Sequence, residues 1–403
     1  MSHRVVITGT GAVTPLGVGA PTLIERWSGG ESGLGDGTGT CRDFDPLDFL
    51  SRKECRRADR FTQLATVAGD EARDQAGWQG GLPYAPERIG CIVGTGIGGI
   101  ASLESQGEIL REKGAKAVSP LAVPLMMGNA ASAALAMRFG LSGETYGVVS
   151  ACAAGAHAIG AATRLIQSGQ ADAAFTGGSE SAMTGIAKAA FASMGATSPT
   201  GISRPFDARR DGFVMGEGAG VLVLEDAERA AERGATVLGE IVGYGASCDA
   251  HHLTAPDPAG TQSARAISMA LDEAGLSAED LDYVNAHGTS TPLNDRSETH
   301  ALKLALGDAA ASIPVSSTKS AIGHLMGAAG AVEAVATVAA LRRGIAPPTV
   351  GWEEAEEGLD LDYVPDCGRN LRLPQPTGDG RRYAISNSFG FGGHNAVLCL
   401  AST

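Results

Sequence analysis

Four side chains suited to nucleophilic chemistry stand in small-residue surroundings, and the first of them is Cys152. It follows the apolar run Tyr146-Gly147-Val148-Val149-Ser150 and precedes Ala153, Ala154, Gly155 and Ala156. The pattern predicts a buried strand that turns into a helix over 153–167, with the thiol at the junction. A helix N-terminus offers free N–H groups and a positive dipole end, which favour a thiolate and would lower its pKa. The same N–H groups can stabilise an oxyanion after attack on a carbonyl. Position alone nevertheless favours a small packed cysteine. The reading depends on partners.

Those partners stand in the second half of the chain. Asn285-Ala286-His287-Gly288-Thr289-Ser290-Thr291-Pro292 puts an imidazole at a strand end, in a loop of small and hydroxylated residues. The run from Ser316 to His324 adds Lys319 and a second imidazole five residues later. A lone histidine is usually structural or solvated. A thiol with two imidazoles and a lysine, all in Gly-rich junctions, suits thioester chemistry. Spacing does not establish that they meet in space.

The elements that must position these groups read as alternating α/β layers with a mixed sheet. Strands are predicted at Arg4 to Gly9, Ile89 to Gly94 and Glu240 to Gly245, and a helix over Asp59 to Ala76. Two segments echo each other. The strand 146–150 leads through Cys152 into a small-residue helix, and the strand 313–318 leads through Lys319 into a Gly/Ala-rich helix ending near Gly344. This points to a duplicated α/β unit, with halves 1–239 and 240–403 and chemistry at the two strand-to-helix junctions.

Bulk properties narrow the function classes. The 403 residues suffice for a large core, and 43% are hydrophobic, with only 5% aromatic and 57 glycines. A net charge of −14 argues against general affinity for nucleic acid or an anionic membrane. No secretory pattern opens the chain, and the apolar stretch 331–341 is too short to span a bilayer, so a cytoplasmic protein is expected. The seven cysteines are scattered without a C-x-x-C pair, which indicates neither a zinc site nor a disulfide framework. Against this acidic background the run from Arg52 to Arg60 is basic; such a run is commonly a solvated helix face.

The segments Val149 to Gly155, Asn285 to Pro292, Lys319 to Gly330 and Asn387 to Gly393 resemble the β-ketoacyl-acyl carrier protein synthases. Within that family they are closest to the elongating Cys-His-His type, the synthase II group, and the likeness runs along essentially the whole chain. The resemblance implies the thiolase fold, two similar halves in a five-layer α-β-α-β-α arrangement, usually a homodimer. It implies that Cys152 accepts an acyl group from acyl carrier protein. Malonyl-carrier protein then loses carbon dioxide, and its carbanion attacks the Cys152 thioester. His287 and His324 would hydrogen-bond the malonyl thioester carbonyl, and the N–H groups of Cys152 and Phe391 would form the oxyanion hole.

Further roles follow from the same likeness. Lys319 is expected to pair with Glu298, Thr289 and Thr291 to contact the phosphopantetheine arm, and Phe391 to gate an acyl pocket lined by Ile97 and Phe191. Phe389, in the same loop as Phe391, joins the expected substrate contacts. No cofactor is required, because phosphopantetheine arrives on the carrier; some relatives hold a structural monovalent cation near the counterparts of Asn285, Glu333 and Asn387. Lys53, Arg56, Arg57 and Arg60, extended by Lys116, match the stretch that docks the acidic carrier, where positive charge steers such a partner. Gly195 and Ala117 depart from the synthase II pattern, which has arginine and lysine there.

Related chemistries are weighed against these residues. A degradative thiolase needs a second catalytic cysteine near the C-terminus, but Cys399 lies in an apolar run and reads as core. His324 stands where the Cys-His-Asn initiating synthases carry asparagine. A chain-length factor lacks the nucleophile that Cys152 supplies. The catalytic ketosynthase of a type II polyketide heterodimer uses the same chemistry and stays open beside fatty-acid elongation.

Overall fold

The computed structural model describes residues 3–371 and 380–403; Met1 and Ser2, at the opening of the chain, lie outside the described residues. Val- and Ile-rich runs form its strands because branched side chains pack well on a pleated, buried surface. The first half contributes β1 (Val5–Thr14), β2 (Gly17–Val18), β3 (Ile89–Gly94), β4 (Thr145–Val148), β5 (Ala173–Glu180) and β6 (Gly218–Asp226). The second contributes β7 (Gly239–Cys248), β8 (Leu281–Asn285), β9 (Val315–Ser316), β10 (Ile345–Ala346), β11 (Arg369–Asn370), β12 (Tyr383–Gly390) and β13 (His394–Ala401).

The main path runs β4-β3-β5-β6-β1-β7-β13-β12-β8-β9, with β2 on β1 and β10 paired to β11. Its two ends mirror each other. β3 is parallel to β4 and β5, after which β5, β6 and β1 continue antiparallel. β8 is likewise parallel to β9 and β12, after which β12, β13 and β7 continue antiparallel. The repeated pairing pattern is that of a duplicated unit, and a short antiparallel contact between β1 and β7 joins the copies.

Helices Ala154–Gln167 and Ala329–Arg343 pack on each other and on strands of both units, forming the middle layer. Helix Arg60–Gln75 covers β1 and β6 from outside, and Thr261–Ala274 covers β7 and β13. The result is the five-layer α-β-α-β-α thiolase fold. Small residues make the middle layer possible: a Cβ on Gly155 would lie 2.8 Å from the Ala331 nitrogen. Among the described residues no helix is long and apolar enough to cross a membrane.

Local structure departs from expectation at one functional point. The strand predicted over 313–318 shortens to Val315–Ser316, and the helix expected from Lys319 to Gly344 is broken. A single turn, Lys319–Ile322, ends at Gly323 with φ 73°, and the long helix restarts only at Ala329. Glycine weakens a helix without by itself ending it, but tertiary packing forbids continuity here. A Cβ on Gly327 would sit 2.1 Å from the Gly96 nitrogen, so the chain must pass there without a side chain. The break carries His324.

Candidate active site

Cys152 sits where β4 gives way to a 3₁₀ turn, Ala151–Ala153, which feeds the helix Ala154–Gln167. Ala151 has φ 50°, a left-handed conformation that an L-residue holds only when its surroundings over-determine it. The Phe391 N–H and the Cys152 N–H both favour the anionic sulfur, as does the Lys319 charge. These influences lose to burial, which pushes the thiol up to about 11. The expected lowering by the helix terminus is therefore corrected: the resting thiol is neutral.

A cavity of about 350 Å³ brings Cys152 together with His287, His324, Thr289, Thr291, Phe191, Phe389 and Phe391. The two imidazoles lie edge to face, their centroids 5.4 Å apart. His324 is pinned through its backbone, which accepts from the Gly216 N–H at 2.9 Å and donates to the Val214 carbonyl at 2.7 Å. Ile97 is not among the lining residues and is 42% exposed. Its expected place in this pocket is not supported within the single chain, because the 94–99 loop carries it outward.

Hydrogen bonding sets the tautomer of both rings. The Lys319 ammonium can only donate, and it reaches His287 Nδ1 at 3.2 Å. The Met326 N–H, also only a donor, reaches His324 Nδ1 at 3.2 Å. Each ring therefore accepts at Nδ1 and carries its proton on Nε2. Burial, reinforced by the Lys319 charge, holds both imidazoles well below their usual pKa, so they stay neutral. The site presents two N–H donors rather than two bases.

Lys319 is wholly buried, and its anionic partner is Glu333, not Glu298. Glu298 instead accepts from the backbone N–H of His287 at 2.8 Å and of Gly288 at 2.7 Å, and from Asn387 Nδ2 at 3.1 Å. It holds the His287 backbone in place, and burial raises its pKa to about 7. Sequence reasoning named Glu333 only beside a cation. A glutamate inside an Ala/Val helix was nevertheless a signal, because a buried charge requires a partner. Glu180 carries no sequence signal of its own, and Gly390 stands in the Asn387–Gly393 motif without an assigned role. A Cβ on Gly390 would lie 3.0 Å from the Cys152 nitrogen, so this glycine lets the Phe391 loop close on the thiol.

Thr289 and Thr291 face the cavity with their hydroxyl oxygens 2.8 Å apart, and Thr291 also caps the helix Pro292–Leu306. Lys53, Arg56, Arg57 and Lys116 are exposed. Arg60 is not a free member of that patch. It donates to Glu217 at 2.9 Å and to the carbonyls of Cys41 and Phe44. Its guanidinium serves the adjoining core, a partner set that the local charge run does not reveal.

The oxygens Asn285 Oδ1, Glu333 Oε2 and Asn387 Oδ1 are buried and have no hydrogen-bond donor among the described residues. Unsatisfied oxygens of this kind, one of them anionic, fit the needs of a hard monovalent cation.

Comparison with known proteins now adds to this geometry. The model for the β-ketoacyl synthase N-terminal domain matches residues 35–230, and that for the C-terminal domain matches residues 238–353. The chain is 48% identical to a 3-oxoacyl-[acyl-carrier-protein] synthase 2 of Synechocystis sp., covering 98% of this chain and 97% of the relative. A synthase of the same name from Rhizobium meliloti is 43% identical over 99% and 98%. Among solved structures, the ishigamide ketosynthase/chain length factor is 34% identical and superposes with a TM-score of 0.90 over the full length of both chains. A β-ketoacyl synthase from Burkholderia phymatum is 33% identical with a TM-score of 0.90, also over both full lengths. With a buried thiol and two imidazole donors lining one cavity, a buried lysine bonded to one of those imidazoles, and both domain models matched in order, this chain belongs to the β-ketoacyl synthase family.

Proposed function

We propose that the chain catalyses the decarboxylating condensation of an acyl-Cys152 thioester with malonyl-acyl carrier protein, in fatty-acid elongation. The observation that carries this reading is the pair of neutral Nε2–H imidazoles facing the same cavity as Cys152. In the first step the Cys152 sulfur attacks the acyl thioester carbonyl. The N–H groups of Cys152 and Phe391 stabilise the oxyanion, and the carrier thiol leaves with the proton that Cys152 gave up. Malonyl thioester then binds with its carbonyl oxygen accepting from both histidines. Loss of carbon dioxide leaves the electron pair on C2, as an enolate whose charge those donors stabilise. C2 attacks the Cys152 thioester, and collapse of the tetrahedral intermediate expels the Cys152 thiolate. Lys319 supports this by fixing the His287 tautomer and by its positive charge near the sulfur.

The carrier protein is read as docking on Lys53, Arg56, Arg57 and Lys116, whose exposure leaves them available to an acidic partner. Thr289 and Thr291 are assigned to the phosphopantetheine arm, Phe191 and Phe389 to the acyl chain, and Phe391 to the gate. A homodimer is part of the same reading. The edge strand β4 and its surroundings expose Tyr146 (37%), Val149 (62%) and Val123 (56%), an apolar edge that a second copy would cover. The halves are divided at 239/240, one residue into β7. Seven unpaired cysteines suit a reducing, cytoplasmic setting.

A second reading, the catalytic subunit of a polyketide heterodimer, draws on the ishigamide ketosynthase/chain length factor and on a type II polyketide ketosynthase in complex with its acyl-carrier protein. The relatives of higher sequence identity favour elongation. The test is to purify the chain alone and supply acyl- and malonyl-carrier protein from fatty-acid synthesis. β-Ketoacyl product is expected. Product only when a second subunit is added would overturn the elongation reading.

Two further outcomes are expected. Gly390→Ala pushes a methyl group against the Cys152 nitrogen and should slow acyl-enzyme formation about 100-fold, read as the burst in single-turnover mass spectrometry. The orphaned oxygens of Asn285, Glu333 and Asn387 are assigned to a potassium- or sodium-class cation. Replacing tetramethylammonium by about 100 mM potassium should then raise Tm by about 1–2 °C, measured by calorimetry. An unchanged Tm would count against the cation.

A further inference from the structure

We infer that Glu180 is a positioning residue for the condensation, its carboxylate clamping the turn after His324 to the 94–99 loop and so holding His324 in donor orientation. This deepens the condensation reading and rests on it. Glu180 ends β5 and is fully buried. One carboxylate oxygen accepts from the Thr95 hydroxyl at 3.1 Å. The other accepts from the Gly96 N–H at 2.5 Å and the Gly327 N–H at 3.2 Å. The groups that favour its charge are a hydroxyl and backbone N–H donors, not a cation, and burial still raises its pKa to about 7. A buried carboxylate without a cationic partner is costly to keep, which makes it a candidate for a role in the site.

The role follows from what Gly327 adjoins. Met326 has φ 47°, left-handed for a residue with a side chain, and such a conformation persists only under constraint from both sides. On one side the Met326 N–H donates to His324 Nδ1, the bond that puts the proton on Nε2. On the other, the next N–H in the chain is held by Glu180. Releasing the Glu180 bond frees the turn to relax, and the donor that fixes the His324 tautomer moves with it. Glu180 also acts on Cys152 through its charge, which disfavours the thiolate, whereas Lys319 favours it.

Glu180→Gln separates positioning from simple loss of structure. An amide turns its own N–H groups toward donors and carries no charge. Decarboxylation of malonyl-carrier protein should fall at least about 30-fold. At the same time the pH profile of Cys152 alkylation by iodoacetamide should move down by about one pH unit, because a like-signed charge has left the thiolate's surroundings while His287, His324 and Lys319 stay. A merely structural defect lowers the first without moving the second in that direction, so lost decarboxylation with an unmoved or upward-moved alkylation profile overturns the inference. Unchanged decarboxylation also overturns it. His324→Ala serves as reference. If that variant retains decarboxylation, the condensation reading fails and takes this inference with it; if it loses decarboxylation while Glu180→Gln keeps it, only the inference fails. Should Glu180→Gln not fold, Thr95→Val removes one donor from the carboxylate. It should shift the alkylation profile the same way by a smaller amount, and an unmoved profile again overturns the inference.

Discussion

Cys152→Ala should abolish carbon–carbon bond formation, by about 10⁴-fold or more in kcat, and leave the fold intact. The sulfur is buried but faces the cavity, so alanine removes it without a clash. No acyl-enzyme can form without the thiol, so intact-protein mass spectrometry should show no mass gain on incubation with acyl-carrier protein. Release of carbon dioxide from malonyl-carrier protein should persist, since the two Nε2–H donors do not depend on the sulfur. Condensation by the alanine variant would refute the nucleophile assignment. The free enzyme provides a companion check. With the Cys152 thiol at about 11, the thiolate fraction rises about tenfold per pH unit below that value. The alkylation rate should therefore climb steadily between about pH 7 and 9, and a plateau near neutrality would show that burial had been outweighed.

Lys319→Met carries the second large effect, because three buried groups depend on one ammonium. Glu333 loses its cation, His287 Nδ1 loses its donor, and the Cys152 sulfur loses the charge that favours its ionisation. An uncompensated buried carboxylate typically costs about 3–5 kcal/mol, so chemical denaturation should show a loss of that order. Activity should drop about 10²–10³-fold as the imidazole is freed to change tautomer. The double variant Lys319→Met/Glu333→Gln distinguishes the two consequences. Removing the orphaned charge should restore most of the stability, and condensation should remain lost. Recovery of activity along with stability would mean that the lysine acts only as a structural partner.

The chemistry of the site was legible in the chain before any folding because it depends on residue type and local setting. A cysteine after an apolar run, histidines in Gly/Thr loops and a lysine at a mirrored junction are local features. The duplication was legible for the same reason, since both units repeat a strand-to-helix signal. Partner identity was less so. The family resemblance pairs Lys319 with Glu298, whereas helix packing delivers Glu333 to it and leaves Glu298 holding the His287 and Gly288 backbones. Arg60 looked like its neighbours in a basic run until Glu217, 157 residues later, claimed it.

Cys152 marks the division between the two sources of information. Residue order alone places a thiol at a strand-to-helix junction and imidazoles and an amine at others, because hydrophobic periodicity and small-residue runs encode local geometry. Folding in three dimensions is what brings the thiol and both imidazoles to one cavity with the amine behind His287, leaves the thiol neutral, and puts the histidine protons on Nε2. Those properties depend on burial and on donors from distant segments. Desolvation and hydrogen-bond direction arise only when the layers close.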